Sequence, residues 1–340
     1  MSYPHRLAVL AVPVLLVSLA GCAGSAPDDA PSAESTYTGD VADVRYLTAF
    51  NTFGRDAYAF VAQEKGFFAD HGLNVTIEPG TGSVDVMKLV ASGSADFGIA
   101  DFSAVAVTVA NEDLPISAVA AIQQTTLAAI ISLEGYGIED PGDLEGKSIA
   151  DQPGSTNEVI FPAYAEAAGF DASTVTHLPA APPSLPQVLA SHQADAIGQF
   201  VVGEPLIESV SQGKGVVVLP YGDELPDLYG NVLIASDDMI ADDPELVSRF
   251  SAALLEGLQY SIENPDETGE ILKKYQPTQD AAVAASEVGL MAPYVTGDAE
   301  LGSIDADRVA SVIDILSPAI TGDVTPDDIV AFDLTPGVDE

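Results

Sequence analysis

The chain has 340 residues, with 52 Asp and Glu against 11 Lys and Arg, for a formal net charge of −41. So acidic a surface cannot neutralise phosphates or anionic headgroups, which excludes nucleic-acid binding and polybasic membrane attachment. An apolar content of 47% without a long low-complexity tract excludes an acidic disordered tail, and the single Cys excludes internal disulfides and a thiolate zinc cluster.

The first segment is His5-Arg6, an apolar run from Leu7 to Ala20, and Gly21-Cys22. A short positive region, an apolar core of that length and small residues at its end make a secretory signal over residues 1–21. The run is too short to span a bilayer comfortably. Leu19-Ala20-Gly21-Cys22 resembles a bacterial lipobox. That reading makes Cys22 the lipidated first residue of the mature chain, held on the outer face of the cell membrane; an ordinary signal with an incidental Cys is the alternative. Residues 22–40 are rich in Ala, Ser, Pro, Asp and Gly and read as a flexible tether. At roughly 100–200 residues per domain, the remainder holds about two. The acid excess fits both a salty habitat and an ordinary solvated surface.

From Val41 the pattern alternates. Val44 to Phe50 reads as a strand, and Asp56 to Lys65 as a helix with Ala57, Phe60 and Val61 inward and Gly66 closing it. Leu73, Val75 and Ile77 alternate with polar residues, a strand period. Ser83 is placed to cap a helix with Val86, Met87 and Val90 inward, closed by Gly93. Phe97–Ala100, Ile116–Ile122 and Ala128–Leu133 are strand-length apolar runs, as are Lys147–Ala150, Ala194–Phe200 and Val216–Leu219. A helix is predicted from Ser155 through Ala168, with Pro162 expected to kink it or delay its start. Ser184 and Gln187 have capping-box spacing. Asp243 and Pro244 open a long helix with Leu246, Phe250, Leu254, Leu258 and Ile262 on one face, and Val309, Val312, Ile313 and Leu316 mark a last one. This order predicts an α/β fold with mainly parallel sheets flanked by helices.

Gln63-Glu64-Lys65-Gly66-Phe67-Phe68, His71-Gly72-Leu73-Asn74-Val75 and Ser92-Gly93-Ser94-Ala95-Asp96-Phe97-Gly98 resemble the "KGYF…GLDV…SGxxDFG" pattern of a known family. Its members are the substrate-binding proteins of ABC importers for sulfonate, taurine, nitrate and thiamine-pyrimidine precursors. Asp143-Leu144-Glu145-Gly146-Lys147, Gly154-Ser155 and Ala194-Asp195-Ala196 resemble its later motifs, so the similarity runs from about Val44 to Pro265. The resemblance implies a two-lobed type II periplasmic-binding fold. Lobe I is then expected at 41–126 and 229–340 and lobe II at 127–228, with hinge crossovers near Gln123–Ala128 and Tyr229–Ile234. It also implies a monomer that binds a small-molecule ligand and docks on an ABC permease with its ATPase.

In open α/β sheets ligands sit on the loops beyond the carboxyl ends of strands. Those loops supply the candidate contacts. Thr81, Gly82 and Ser83, and Gly154, Ser155 and Thr156, form small hydroxyl-bearing turns that can offer N–H groups to a ligand. They serve equally as plain helix caps, the more so because Ser155 and Glu158 fit a capping box. Phe53, Phe102 and Phe200 can stack on a flat ring or fill the core, and Tyr58 fits the core best. Asp56, Asp101 and Glu204 can accept hydrogen bonds from an aminopyrimidine or simply be surface charge. Arg55, pointing inward, can grip a sulfonate, carboxylate or phosphate; pointing outward, it is one of few surface cations. Ser103, Gln123, Thr125 and Tyr229 complete the set. A flat nitrogen heterocycle of the thiamine-pyrimidine type is the favoured ligand, with sulfonate, taurine or nitrate as the alternative.

Enzymatic readings find little support. Part of the wider family makes the thiamine pyrimidine with iron, pyridoxal phosphate and a Cys-rich loop, and this chain has no Cys beyond Cys22. His177 and His192 have no evident nucleophile partner, and no G-x-S-x-G, H-E-x-x-H or phosphate-binding loop occurs. No catalytic residue, cofactor or metal is expected. A tethered sensor domain that signals through a separate membrane protein is the remaining alternative.

Overall fold

The computed structural model describes residues 37–296 and 299–336. The signal, Cys22 and most of the tether lie outside the described residues. Among the described residues no helix is long and apolar enough to cross a membrane.

Two five-stranded sheets organise the chain. The strands are β1 (Ala42–Leu47), β2 (Phe50–Asn51), β3 (Leu73–Glu78), β4 (Gly80–Thr81), β5 (Phe97–Asp101), β6 (Ile116–Ala121), β7 (Ala128–Leu133), β8 (Ser148–Asp151), β9 (Thr176–Pro179), β10 (Ala196–Phe200), β11 (Val216–Pro220) and β12 (Asn231–Ser236). The first sheet has the order β3-β1-β5-β12-β6, the second β11-β7-β10-β8-β9, and β2 pairs with β4 apart from both. In each sheet four strands share a direction and one opposes them, β12 in the first and β7 in the second. The opposed strand is in each case the one that follows the other sheet's edge strand, β7 after β6 and β12 after β11. Each lobe therefore receives one strand from a crossover, and this reciprocal exchange makes a two-lobed α/β fold of mixed, mainly parallel sheets.

Both crossovers leave from a carboxyl edge. β6 ends at Ala121 and β11 at Pro220, each running with the majority of its sheet. The carboxyl edges of the two sheets consequently face the hinge and each other, and the loops leaving them line the cleft.

The lobe I core lies between the first sheet and two helices, Ala57–Lys65 and Pro244–Glu263. Phe250 is stacked on Phe97 with ring centroids 4.2 Å apart and on Phe68 at 5.5 Å. Leu246, Phe250, Leu254 and Leu258 of the long helix are buried, each worth roughly 1.5–3 kcal/mol. Asp243 caps that helix by accepting the Leu246 N–H at 3.0 Å, as its sequence position predicts.

Local details differ from the sequence reading in four places. Ser83 is the first helical residue and Gly82 the cap, with φ 128°, and the Ser83 hydroxyl accepts the Asp101 N–H instead. Ser184 makes no capping bond and donates to the Ala181 carbonyl, because a turn over Pro182–Ser184 precedes the helix Leu185–Ala190. The helix Thr156–Ala168 starts at once and runs through Pro162. Phe102–Glu112 is a helix that the strand-like Val-rich sequence does not suggest.

Candidate functional site

The first cleft loop follows β1. Gly80 lies so close under it that an added Cβ would come within 1.9 Å of the Thr48 carbonyl oxygen. Gly80→Ala is expected to cost about 1–3 kcal/mol in a urea titration, as overpacking does. Beyond β2, Gly54–Asp56 forms a tight turn that puts three charged side chains together. Asp56 is 1% exposed and accepts the Phe53 N–H at 3.0 Å, while Glu287 accepts the Gly54 N–H at 2.6 Å. Burial pushes Asp56 up to about 6, against the pull of Arg55 and then of the Phe53 N–H. Burial also raises Glu287, which Arg55 and the Gly54 N–H hold down.

Arg55 points inward. Its guanidinium carbon lies 5.0 Å from the Phe53 ring centroid in lobe I and 5.4 Å from that of Phe200 in lobe II. Its Nε is 3.9 Å from Asp56 Oδ2, too far for a hydrogen bond, and the guanidinium makes none among the described residues. A cation held between aromatic faces in a largely desolvated place gains about 0.5–2 kcal/mol per contact. The lobes thus meet across Arg55.

The other predicted residues separate into groups. Thr81 is exposed and donates to Asp85, whereas the space around Gly82 is open. Asp101 is buried and caps the helix Phe102–Glu112, accepting the N–H groups of Ser103 at 3.0 Å and Ala104 at 3.3 Å. Burial pushes it up to about 7 against those two donors. The buried Ser103 hydroxyl meets no partner at hydrogen-bonding geometry.

Phe102, Gln123 and Tyr229 sit in the hinge. Phe102 packs edge-on against Tyr229 at 5.3 Å, and Gln123 Oε1 accepts the Asn231 N–H at 2.6 Å. Thr125 lines an open cleft of about 450 Å³ between the lobes with Val201, Gly222, Asp223, Leu290 and Tyr294.

In lobe II the Ser155 hydroxyl is fully used. It donates to Asp151 at 2.7 Å and accepts the Glu158 N–H at 3.1 Å, while the Glu158 carboxylate takes the Gly154 N–H. Ser155 thus caps the helix, but the predicted capping box is not closed, because Glu158 takes the Gly154 N–H while the Ser155 N–H goes to the Gln152 carbonyl. Thr156 and Phe200 are half-buried, and Glu204, raised by burial and then by Glu208, opens the helix Glu204–Val210.

Sequence reasoning missed Glu287, which carries no signal on its Ala-rich helix, and did not single out Asn157. It also missed Phe50, an exposed aromatic in the first loop that only the turn into β2 displays.

The family described as NMT1/THI5 like matches residues 56–268. The formylaminopyrimidine-binding protein of Halalkalibacterium halodurans is 28% identical over 268 residues, covering 78% of this chain and 77% of that protein. The 4-amino-5-hydroxymethyl-2-methylpyrimidine phosphate synthase of Schizosaccharomyces pombe is 25% identical over 236 residues, covering 66% and 67%. Among solved structures, the periplasmic aliphatic sulphonate binding protein of Escherichia coli superposes with a TM-score of 0.67 at 15% identity, covering 81% of this chain and 86% of that one. The last likeness is one of fold. The chain belongs to the NMT1/THI5-like family.

Proposed function

We propose that this chain is the extracytoplasmic, Cys22-anchored receptor of an ABC importer, and that it closes two lobes around a 4-aminopyrimidine or a similar flat nitrogen heterocycle without chemically changing it. The observation that carries the reading is the meeting of Phe53, Arg55 and Phe200 across the cleft, beside the buried carboxylate of Asp56 and the half-buried one of Glu287. Aromatic and guanidinium faces from both lobes suit a planar ring, and buried carboxylates accept its N–H groups. Ligand bridging both lobes favours the closed state, the form that a permease would take up. The formylaminopyrimidine-binding relative supports the choice of ring.

The test is thermal unfolding of the purified protein against a formylaminopyrimidine, taurine and an alkylsulfonate. At 100 times its dissociation constant the true ligand stabilises the fold by about 2.7 kcal/mol. A shift with the pyrimidine alone supports the reading, and a shift with sulfonates alone overturns it. Arg55→Ala is expected to weaken pyrimidine binding about 2- to 30-fold by calorimetry, the range of a cation–π contact in so desolvated a place.

A sulfonate receptor is the second reading. The observation favouring it is the guanidinium fork of Arg55, which has no hydrogen-bond partner among the described residues. Radiolabelled fatty acid incorporated into the wild type but not into Cys22→Ala tests the anchor.

A further inference from the structure

Asn157 occupies the first turn of the helix Thr156–Ala168, on the carboxyl edge of the second sheet. It is 3% exposed, and its Oδ1 has no hydrogen-bond partner among the described residues. Two nearby hydroxyls are committed elsewhere: Ser155 to Asp151 and Glu158, and Tyr221 to the Asn157 main-chain carbonyl at 3.2 Å, not to the side chain. The helix faces the other lobe, where it packs against Phe102–Glu112. A buried acceptor left without a donor is costly.

The chemistry around the cleft has the same bias. Asp56, Asp101 and Asp151 bring carboxylates to the two carboxyl edges and Glu287 adds a fourth, whereas Arg55 is the cation among these residues. Gly198 leaves room for this arrangement in lobe II, since a Cβ there would come 2.0 Å from Asp151 Oδ2. Such a rim is rich in acceptors and poor in donors.

We infer that Asn157 is a specificity-determining residue whose Oδ1 accepts an N–H from the ligand's exocyclic amino group. Closure then leaves Oδ1 satisfied only around a ligand that brings a donor. An aminated heterocycle meets that demand. A sulfonate, which carries acceptors alone, leaves the amide oxygen orphaned. The inference rests on the heterocycle reading above and narrows it to rings bearing a free amino group.

Titration calorimetry with 4-amino-2-methylpyrimidine, 2-methylpyrimidine and ethanesulfonate, on the wild type, Asn157→Asp and Asn157→Leu, tests it. Asn157→Asp keeps the acceptor and is expected to hold the aminopyrimidine within about 3-fold of wild type. Asn157→Leu is expected to weaken it about 10- to 100-fold, the range for an orphaned hydrogen bond, while 2-methylpyrimidine is bound alike by the wild type and both variants. Equal losses for the two pyrimidines in Asn157→Leu, or a loss in Asn157→Asp as large as in Asn157→Leu, overturns the role of Asn157 alone. Wild-type protein that binds ethanesulfonate and neither pyrimidine overturns the heterocycle reading together with it. Asn157→Asp is nearly isosteric, so the acceptor test stands even if Asn157→Leu fails to fold.

Discussion

Arg308→Ala is expected to lower stability by about 2–4 kcal/mol and to loosen the hinge. The chain passes between the two sheets twice, through Ile122–Leu127 and Leu225–Gly230, and Arg308 fastens one passage to the other. Its Nε donates to the Asp227 carbonyl at 2.9 Å, and a terminal nitrogen donates to the Pro226 carbonyl at 3.0 Å and to the Gln124 carbonyl. The guanidinium carbon lies 3.8 Å from the centroid of the Tyr229 ring, whose hydroxyl in turn accepts the Asp305 N–H at 2.9 Å. A hydrogen bond to a charged group contributes about 1.5–3 kcal/mol, and bonds that share one side chain do not add in full. Arg308→Lys should recover less than half of the loss, because a single ammonium cannot reproduce a planar fork that spans two chain passages. Urea titrations of the three proteins check the order. A lysine variant as stable as the wild type would mean that charge alone, and not the fork, holds the passages together.

Much of this arrangement was open to sequence reasoning where the cause was local. The Asp243 cap, the Ser155 cap and the Gly66 stop depend on residues within one helical turn, and all three are present. The helix Phe102–Glu112 was hidden because its run of Val and Thr has strand propensity, and burial against the first sheet overrides that preference. Ser83 lost its capping role to a competing donor, the Asp101 N–H, which comes from a neighbouring strand. The site shows the same limit. Each of Phe53, Arg55 and Phe200 could be placed on a cleft loop, but their meeting depends on how the two lobes close. Glu287 comes from the far end of the chain and reaches the first loop only because its helix packs on that turn. Arg308, the hinge fastener, is an ordinary surface cation by sequence and gains its meaning from four residues in two distant loops.

Asp101→Asn should stabilise the protein at pH 8 and leave it unchanged near pH 4. The unfolded carboxyl titrates at about 3.9, and the folded one is pushed up to about 7 by burial. Between those values the native state holds a proton that the unfolded chain has given up. Stability therefore falls as pH rises from about 4 to about 7, and the deficit persists above. At 1.36 kcal/mol per unit the shift corresponds to about 4 kcal/mol, and relaxation around a buried charge reduces this to roughly 2–3. Asparagine ranks with aspartate as a helix cap, so its Oδ1 can still accept the Ser103 and Ala104 N–H groups. The quantity to measure is the difference in unfolding free energy between variant and wild type across pH 4–8. Taking the difference cancels carboxylates elsewhere, such as Glu64 beside Lys274, whose folded values are lowered and whose pH effect has the opposite sign. A flat difference would mean that Asp101 ionises in the fold as readily as in the unfolded chain. A rising one carries a functional consequence: because asparagine would cap the helix at no electrostatic cost, the charge at Asp101 returns nothing to the fold. Its place at the carboxyl edge of the first sheet is where a donor-bearing ligand would offset that cost, so the aminopyrimidine should bind Asp101→Asn more weakly even as the variant grows more stable.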